Sequence, residues 1–166
     1  MKSLRDFIIE SIKPTAFNCW IMVGIAGAGK STWIKNNLPK GIKIVNQDQI
    51  RVDMGIMTNI DKKAIGSELE EQEVRKKNDQ LINKYINSKT DFVIDNVNAS
   101  YGRILNLYQR LKSIGANVKI VIVDTDVETC LSRRKEDIPE KIIKQMSMGI
   151  EKIKREFKNN KDCIIV

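Results

Sequence analysis

Residues 24–32 read Gly24-Ile25-Ala26-Gly27-Ala28-Gly29-Lys30-Ser31-Thr32 and fit the pattern G-x-x-x-x-G-K-[ST] with no mismatch. This pattern constrains the fold because it works only where a strand runs into a tight loop and then into a helix. Its glycines lack a Cβ, so the backbone can wrap around phosphate oxygens and turn its N–H groups inward. Lys30 can reach β- and γ-phosphates, and the Ser31 hydroxyl can serve as a ligand to Mg²⁺. A helix starting near Lys30 would set its positive end beneath the same phosphates. The flanks meet the requirement. Cys19–Val23 is a short apolar run of the buried-strand type, and Ser31–Leu38 reads as a helix ended by Pro39 and Gly41. Gly27, Ala28, Gly29, Lys30, Ser31 and Thr32 are therefore the candidate nucleotide-binding residues; the competing reading is a glycine turn that binds nothing.

The rest of the composition narrows the chemistry. The sequence contains no His, which excludes His-based catalysis, and its cysteines, Cys19, Cys130 and Cys163, are odd in number and far apart. Zinc sites and a disulfide framework are not expected, and a reducing cytoplasm is. No apolar run approaches a membrane span, and the apolar cluster Phe7-Ile8-Ile9 is too brief for a signal peptide. With 166 residues the chain suits one domain with a substantial core. The 29 Lys and Arg against 21 Asp and Glu leave a net charge of +8. That balance suits a partner carrying phosphates, but a coding bias toward Lys, Ile and Asn would produce it equally well.

Further along, apolar residues at 4, 7, 8, 9 and 12 predict a helix over residues 3–13, for core packing or for an appended contact. Ile42–Val45 reads as a second strand running into Asn46-Gln47-Asp48-Gln49-Ile50-Arg51. Polar residues at a strand's C-terminal end sit where open parallel sheets bind ligands. There Asp48 could accept a proton from an attacking hydroxyl and Arg51 could grip an anion; alternatively Asp48 caps a helix and Arg51 is a solvated charge. Residues 52–66 are loop-like, and Ser67–Asn87 forms a long helix whose acidic first turn should face away from any nucleic acid. Phe92–Asp95 is a third strand, its terminal Asp95 either a metal carboxylate or a cap for the following turn. Ser100–Ile114, Val127–Arg134 and Pro139–Phe157 read as helices, Val118–Asp124 and Cys163–Val166 as strands. Arg133, Arg134 and Lys135 are either lid cations or a solvated helix end. Five strands alternating with helices predict an α/β fold, a three-layer sandwich around a five-stranded parallel sheet.

Several of these pieces together resemble the kinase domain of phage-type polynucleotide 5′-hydroxyl kinases and their zeta-toxin-like P-loop relatives. The resemblance is carried by Gly27–Trp33, by Asn46–Arg51 as an N-x-D-x-x-R element, by Ile94-Asp95-Asn96, and by the proline-headed segment Asp137–Met146. It spans about residues 18–158 and leaves the segment 3–13 outside. It implies a P-loop kinase fold using ATP and Mg²⁺, and a DNA or RNA 5′-hydroxyl end as acceptor. Asp48 would be the general base and Arg51 would bind the acceptor phosphate on the 3′ side. Lys30 and Ser31 would serve the ATP phosphates and the metal, and Asp95 would position Arg51 or the metal. Arg133 would be a lid arginine on the donor phosphates. The family's distal lid arginine has no counterpart: Arg134 is adjacent, and Asp137 holds the aligned spacing. Two other readings remain on the same residues, a small-molecule kinase of zeta-toxin type and an ATP-binding module without turnover.

Overall fold

A computed structural model of the chain describes residues 16–56, 66–134 and 138–166, without the side chain of Arg134. The helix expected over 3–13, most of the loop expected at 52–66, and Lys135 and Asp137 lie outside the described residues.

Strands β1 (Asn18–Val23), β2 (Lys43–Val45), β3 (Phe92–Ile94), β4 (Asn117–Ile122) and β5 (Cys163–Ile165) form one sheet in the order β2-β3-β1-β4-β5, every pair parallel. The expected five-stranded parallel α/β fold is what the chain adopts. Parallel strands covered on both faces read as unbroken apolar runs, and β3 is buried at all its positions. Between the strands lie α1 (Lys30–Asn37), α2 (Gln47–Asp53), α3 (Glu68–Asn87), α4 (Tyr101–Ser113), α5 (Val127–Arg134) and α6 (Glu140–Phe157). The step from β1 to β2 runs toward one edge of the sheet, and the later steps run toward the other. Right-handed crossovers therefore put α1 on one face and α3, α4 and α6 on the opposite one.

That second face is the better sealed. Cys19 and Phe92 are in register and fully buried beneath Tyr85 and Phe17, with Tyr85 coming from α3. On α6, Ile143, Met146, Ile150, Ile153 and Phe157 recur at helical spacing, and Phe157 meets Tyr101 and Tyr108 of α4 edge-on.

The helix ends follow local chemistry. Ser67 and Glu70 close a reciprocal capping box at the start of α3. Pro139 takes the N-cap of α6, one residue outside the helix rather than its first member. Asn46, and not Asp48, caps α2, its Oδ1 accepting from Gln49 N at 2.9 Å. That helix occupies residues as far as Asp53 that the sequence assigns to loop.

Candidate active site

The glycine loop leaves β1 at its C-terminal end and enters α1. Gly27 and Gly29 hold φ values of 87° and 99°, left-handed conformations that an L side chain adopts only under strain. The first turn of α1 contains no acidic residue, so its positive end is left to attract an anion. Thr125, just beyond β4, supports the loop from below by donating its hydroxyl to Ala28 O at 2.7 Å. Arg133 of α5 reaches over and donates from Nη1 to Gly27 O at 2.9 Å. Together these residues border a cleft of about 880 Å³ that runs from Gly27–Trp33 to Val123–Thr125 and Val166. The structure thus brings Gly27, Ala28, Gly29, Lys30, Ser31, Thr32 and Arg133 around one concavity. Arg134 closes α5, with its side chain outside the described residues.

Lys30 is buried, and its ammonium donates to Gly24 O at 2.9 Å and to Ile25 O at 3.1 Å. The loop carbonyls thereby hold the charge at the mouth of the cleft. Ser31 donates from Oγ to Asp95 Oδ2 at 2.7 Å, across 64 residues of sequence. A hydroxyl and a carboxylate side by side, both hard oxygen donors, fit a Mg²⁺ that completes its shell with water and substrate phosphates. No group of three or more acidic or Cys residues placed to hold a metal ion occurs among the described residues, so a metal at Ser31 and Asp95 would draw its further ligands from water and the nucleotide.

The same Asp95 ties the loop to α2. Its carbonyl accepts from Asn46 Nδ2 at 2.7 Å, while the next residue, Asn96, accepts from Gln47 N at 2.9 Å through Oδ1. Asn96 in turn donates to buried Asn78 of α3 at 3.2 Å. This amide ladder fixes the start of α2, on which Asp48 and Arg51 share a face. Asp48 projects with a 64% exposed side chain and accepts from Arg51 Nη1 at 2.7 Å. Arg51 is also gripped side-on by Glu71 of α3, Nε to Oε1 at 2.8 Å and Nη2 to Oε2 at 2.7 Å. The hydrogen bonds that Arg51 donates to Glu71 raise the Arg51 pKa and lower that of Glu71.

Asp48 and Arg51 do not line the cleft itself; they stand beyond it, joined to it through Asn46 and Asp95. Asp95 meets Ser31, whereas the carboxylates on Arg51 belong to Glu71 and Asp48. Glu71, from the acidic first turn of α3, accordingly faces α2. The sequence assigns no role at the site to Glu71, Thr125, Asn78 or Asn96, although Asn96 lies in the Ile94-Asp95-Asn96 element. Glu71 sits among acidic neighbours that a helix N-terminus explains by itself, and no local pattern marks it.

A strand, a phosphate loop and a helix at the C-terminal edge of a β2-β3-β1-β4-β5 parallel sheet define a P-loop domain with a kinase-like fold. A family model described as AAA domain (AAA_33) matches residues 19–153, and the chain belongs to that family. No curated protein matches it. Among solved structures, a chain of the Pnkp1/Rnl/Hen1 RNA repair complex superposes with a TM-score of 0.71 at 22% identity, over 89% of this chain and 48% of that one. The present chain thus spans about half the length of that repair protein. A chain of the PezAT chromosomal toxin–antitoxin system of Streptococcus pneumoniae superposes with a TM-score of 0.65 at 16% identity, covering 96% and 73% of the two chains. A sugar kinase from Janibacter sp. gives a TM-score of 0.57 at 12% identity over 90% and 84%. At these identities the likeness is one of fold. No helix among the described residues is long and apolar enough to cross a membrane.

Proposed function

We propose that the protein is an ATP-dependent kinase that phosphorylates the 5′-hydroxyl end of a polynucleotide. The observation that carries this reading is the pairing of a complete phosphate loop with an exposed carboxylate, Asp48, beside a guanidinium, Arg51, at the adjoining strand end. Phosphoryl transfer asks for in-line positioning and charge neutralisation rather than covalent help. Lys30 leaves the loop carbonyls for the β- and γ-phosphates, the N–H groups of Gly27–Thr32 cradle them, and Arg133 closes from α5. Ser31 and Asp95 would hold Mg²⁺, which would supply charge neutralisation on the transferring group. Asp48 takes the proton of the attacking hydroxyl, and Arg51 meets the phosphate on its 3′ side. The fold shared with a chain of an RNA repair complex and the net charge of +8 support a nucleic acid acceptor.

One observation favours a small hydroxylated acceptor instead. Arg51 is flanked by two carboxylates, Asp48 and Glu71, so this corner carries no surplus positive charge. Such a corner suits an uncharged sugar hydroxyl.

Transfer of labelled γ-phosphate from ATP to a short 5′-hydroxyl oligonucleotide tests the first reading. Label at the 5′ end, reduced about 10²- to 10⁴-fold by Asp48→Asn with ATP binding retained, is the expected result. Absence of transfer to both DNA and RNA, in a protein that binds ATP, refutes it. Activity toward a polynucleotide should also fall steeply as salt rises, which activity toward a neutral sugar would not.

A further inference from the structure

The Arg51–Glu71 contact has a geometry that a generic surface ion pair lacks. Both side chains are largely buried, at 18% and 16% exposure, and the two bonds run in parallel from Nε and Nη2 to the two oxygens of one carboxylate. A side-on bidentate pair fixes the plane of a guanidinium as well as its position. Glu71 is itself held, because the Ser67–Glu70 capping box sets the first turn of α3 just before it. Arg51 carries five N–H groups, and its bonds to Glu71 and Asp48 use one on Nε, one on Nη1 and one on Nη2. One N–H on each terminal nitrogen is left over by these bonds and is open to phosphate oxygens.

We infer that Glu71 is a positioning residue for the acceptor: it clamps the Arg51 guanidinium so that its remaining N–H groups meet an acceptor phosphate while Asp48 addresses the neighbouring hydroxyl. This rests on Asp48 and Arg51 forming the acceptor site. Glu71 touches neither reactant. It acts through Arg51, and it keeps that long, rotamer-rich side chain ordered before the acceptor arrives. It also compensates the guanidinium charge, so the acceptor phosphate is selected by hydrogen-bond geometry more than by net attraction.

The test compares a plain nucleoside with the same nucleoside bearing a 3′-phosphate, as acceptors for the full-length protein with Mg²⁺ and ATP. Wild type should favour the phosphate-bearing acceptor in kcat/KM. Glu71→Gln should cut that preference about ten- to a hundredfold, leaving the KM for ATP and the rate on the plain nucleoside unchanged. An equal loss on both acceptors would mean that Glu71 only glues α2 to α3, and no change would mean that Arg51 does not need it; either overturns the inference. Glu71→Asp, which keeps the charge, should lose less in the same acceptor-selective way and serves if Glu71→Gln does not fold.

A second readout is independent of turnover. The Arg51 Nε–H should give a sharp, slowly exchanging NMR signal in wild type that broadens in Glu71→Gln while the backbone amide spectrum holds. If wild type phosphorylates neither of these acceptors nor a 5′-hydroxyl oligonucleotide, the polynucleotide reading falls and this signal alone decides: broadening supports the clamp, and an unchanged signal overturns it.

Discussion

At the end of the sheet opposite the cleft, Asp162 gathers three side chains from two elements on one carboxylate. Tyr108 Oη and Lys112 Nζ of α4 both donate to its Oδ2 at 2.9 Å, and Lys119 Nζ of β4 donates to Oδ1 at 3.1 Å. Its side chain is only 9% exposed. Burial pushes its pKa upward, but the bonds from Lys112, Lys119 and Tyr108 outweigh that and bring it from 3.8 down to about 2. A carboxylate with a depressed folded pKa stabilises the fold above its unfolded pKa, and the contribution is lost as pH falls through the folded value. The window therefore runs from about pH 4 down to about pH 2. The shift corresponds to about 2 kcal/mol at neutral pH, of which about half should be gone by pH 3. Asp162→Asn, measured by urea unfolding across this range, should cost about 2 kcal/mol at pH 7 and almost nothing at pH 2. ATP affinity at pH 7 should be unchanged, since the cluster lies away from the phosphate loop. A variant whose deficit stays the same from pH 7 to pH 2 would refute the reasoning, because the loss would then be one of packing and not of an ionised carboxylate.

Two other sites give sharp expectations. A Cβ on Gly149 of α6 would lie 2.1 Å from the carbonyl oxygen of Ala99, so Gly149→Ala must displace the helix or the loop after β3. A loss of about 3 kcal/mol in thermal or urea unfolding is expected, and a neutral result would contradict this packing. Ser31→Ala removes the donor to Asp95 and the proposed hydroxyl ligand together. Nucleotide affinity measured in EDTA should hold, while the gain on adding Mg²⁺ should shrink about tenfold or more in calorimetry.

What the sequence displayed and what it concealed divide along chain distance. The phosphate loop was legible because its chemistry lies within nine consecutive residues, Gly24–Thr32, and each residue type has a mechanical reason to be there. The strands were legible as short apolar runs, with ends shifted by one or two residues where pairing with neighbours, and not local composition, decides the boundary. At Asp48 the pattern could not separate a cap from an exposed acid. Asn46 has the same capping chemistry two residues earlier and takes that role in the structure. Partner choice was hidden altogether. Asp95 had Arg51 or a metal as its candidate partner, and only the folded sheet, which sets β3 beside β1, brings it to the Ser31 hydroxyl. Glu71 comes to Arg51 from another helix 20 residues away, and nothing in either local sequence announces the match.

Those long-range partners also explain how two sites on different elements can act as one. Ser31 at the head of α1 holds the Asp95 side chain, and the Asp95 carbonyl holds Asn46, the residue that caps α2. Asn96 bonds the first N–H of α2 and leans on Asn78 of α3, while Glu71 on that same helix holds Arg51. Buried amides are costly unless paired, so a ladder with every rung satisfied has essentially one low-energy arrangement. In-line transfer demands that donor and acceptor groups be set to a fraction of an ångström, and flexible loops do not provide that. Here the setting comes from the ends of β1, β2 and β3, whose mutual register is fixed by the parallel ladder. The phosphate loop and the Asp48–Arg51 pair are therefore two ends of one hydrogen-bonded frame. A change at Asp95 or Asn96 would disturb the α2 end of that frame as surely as the phosphate-loop end.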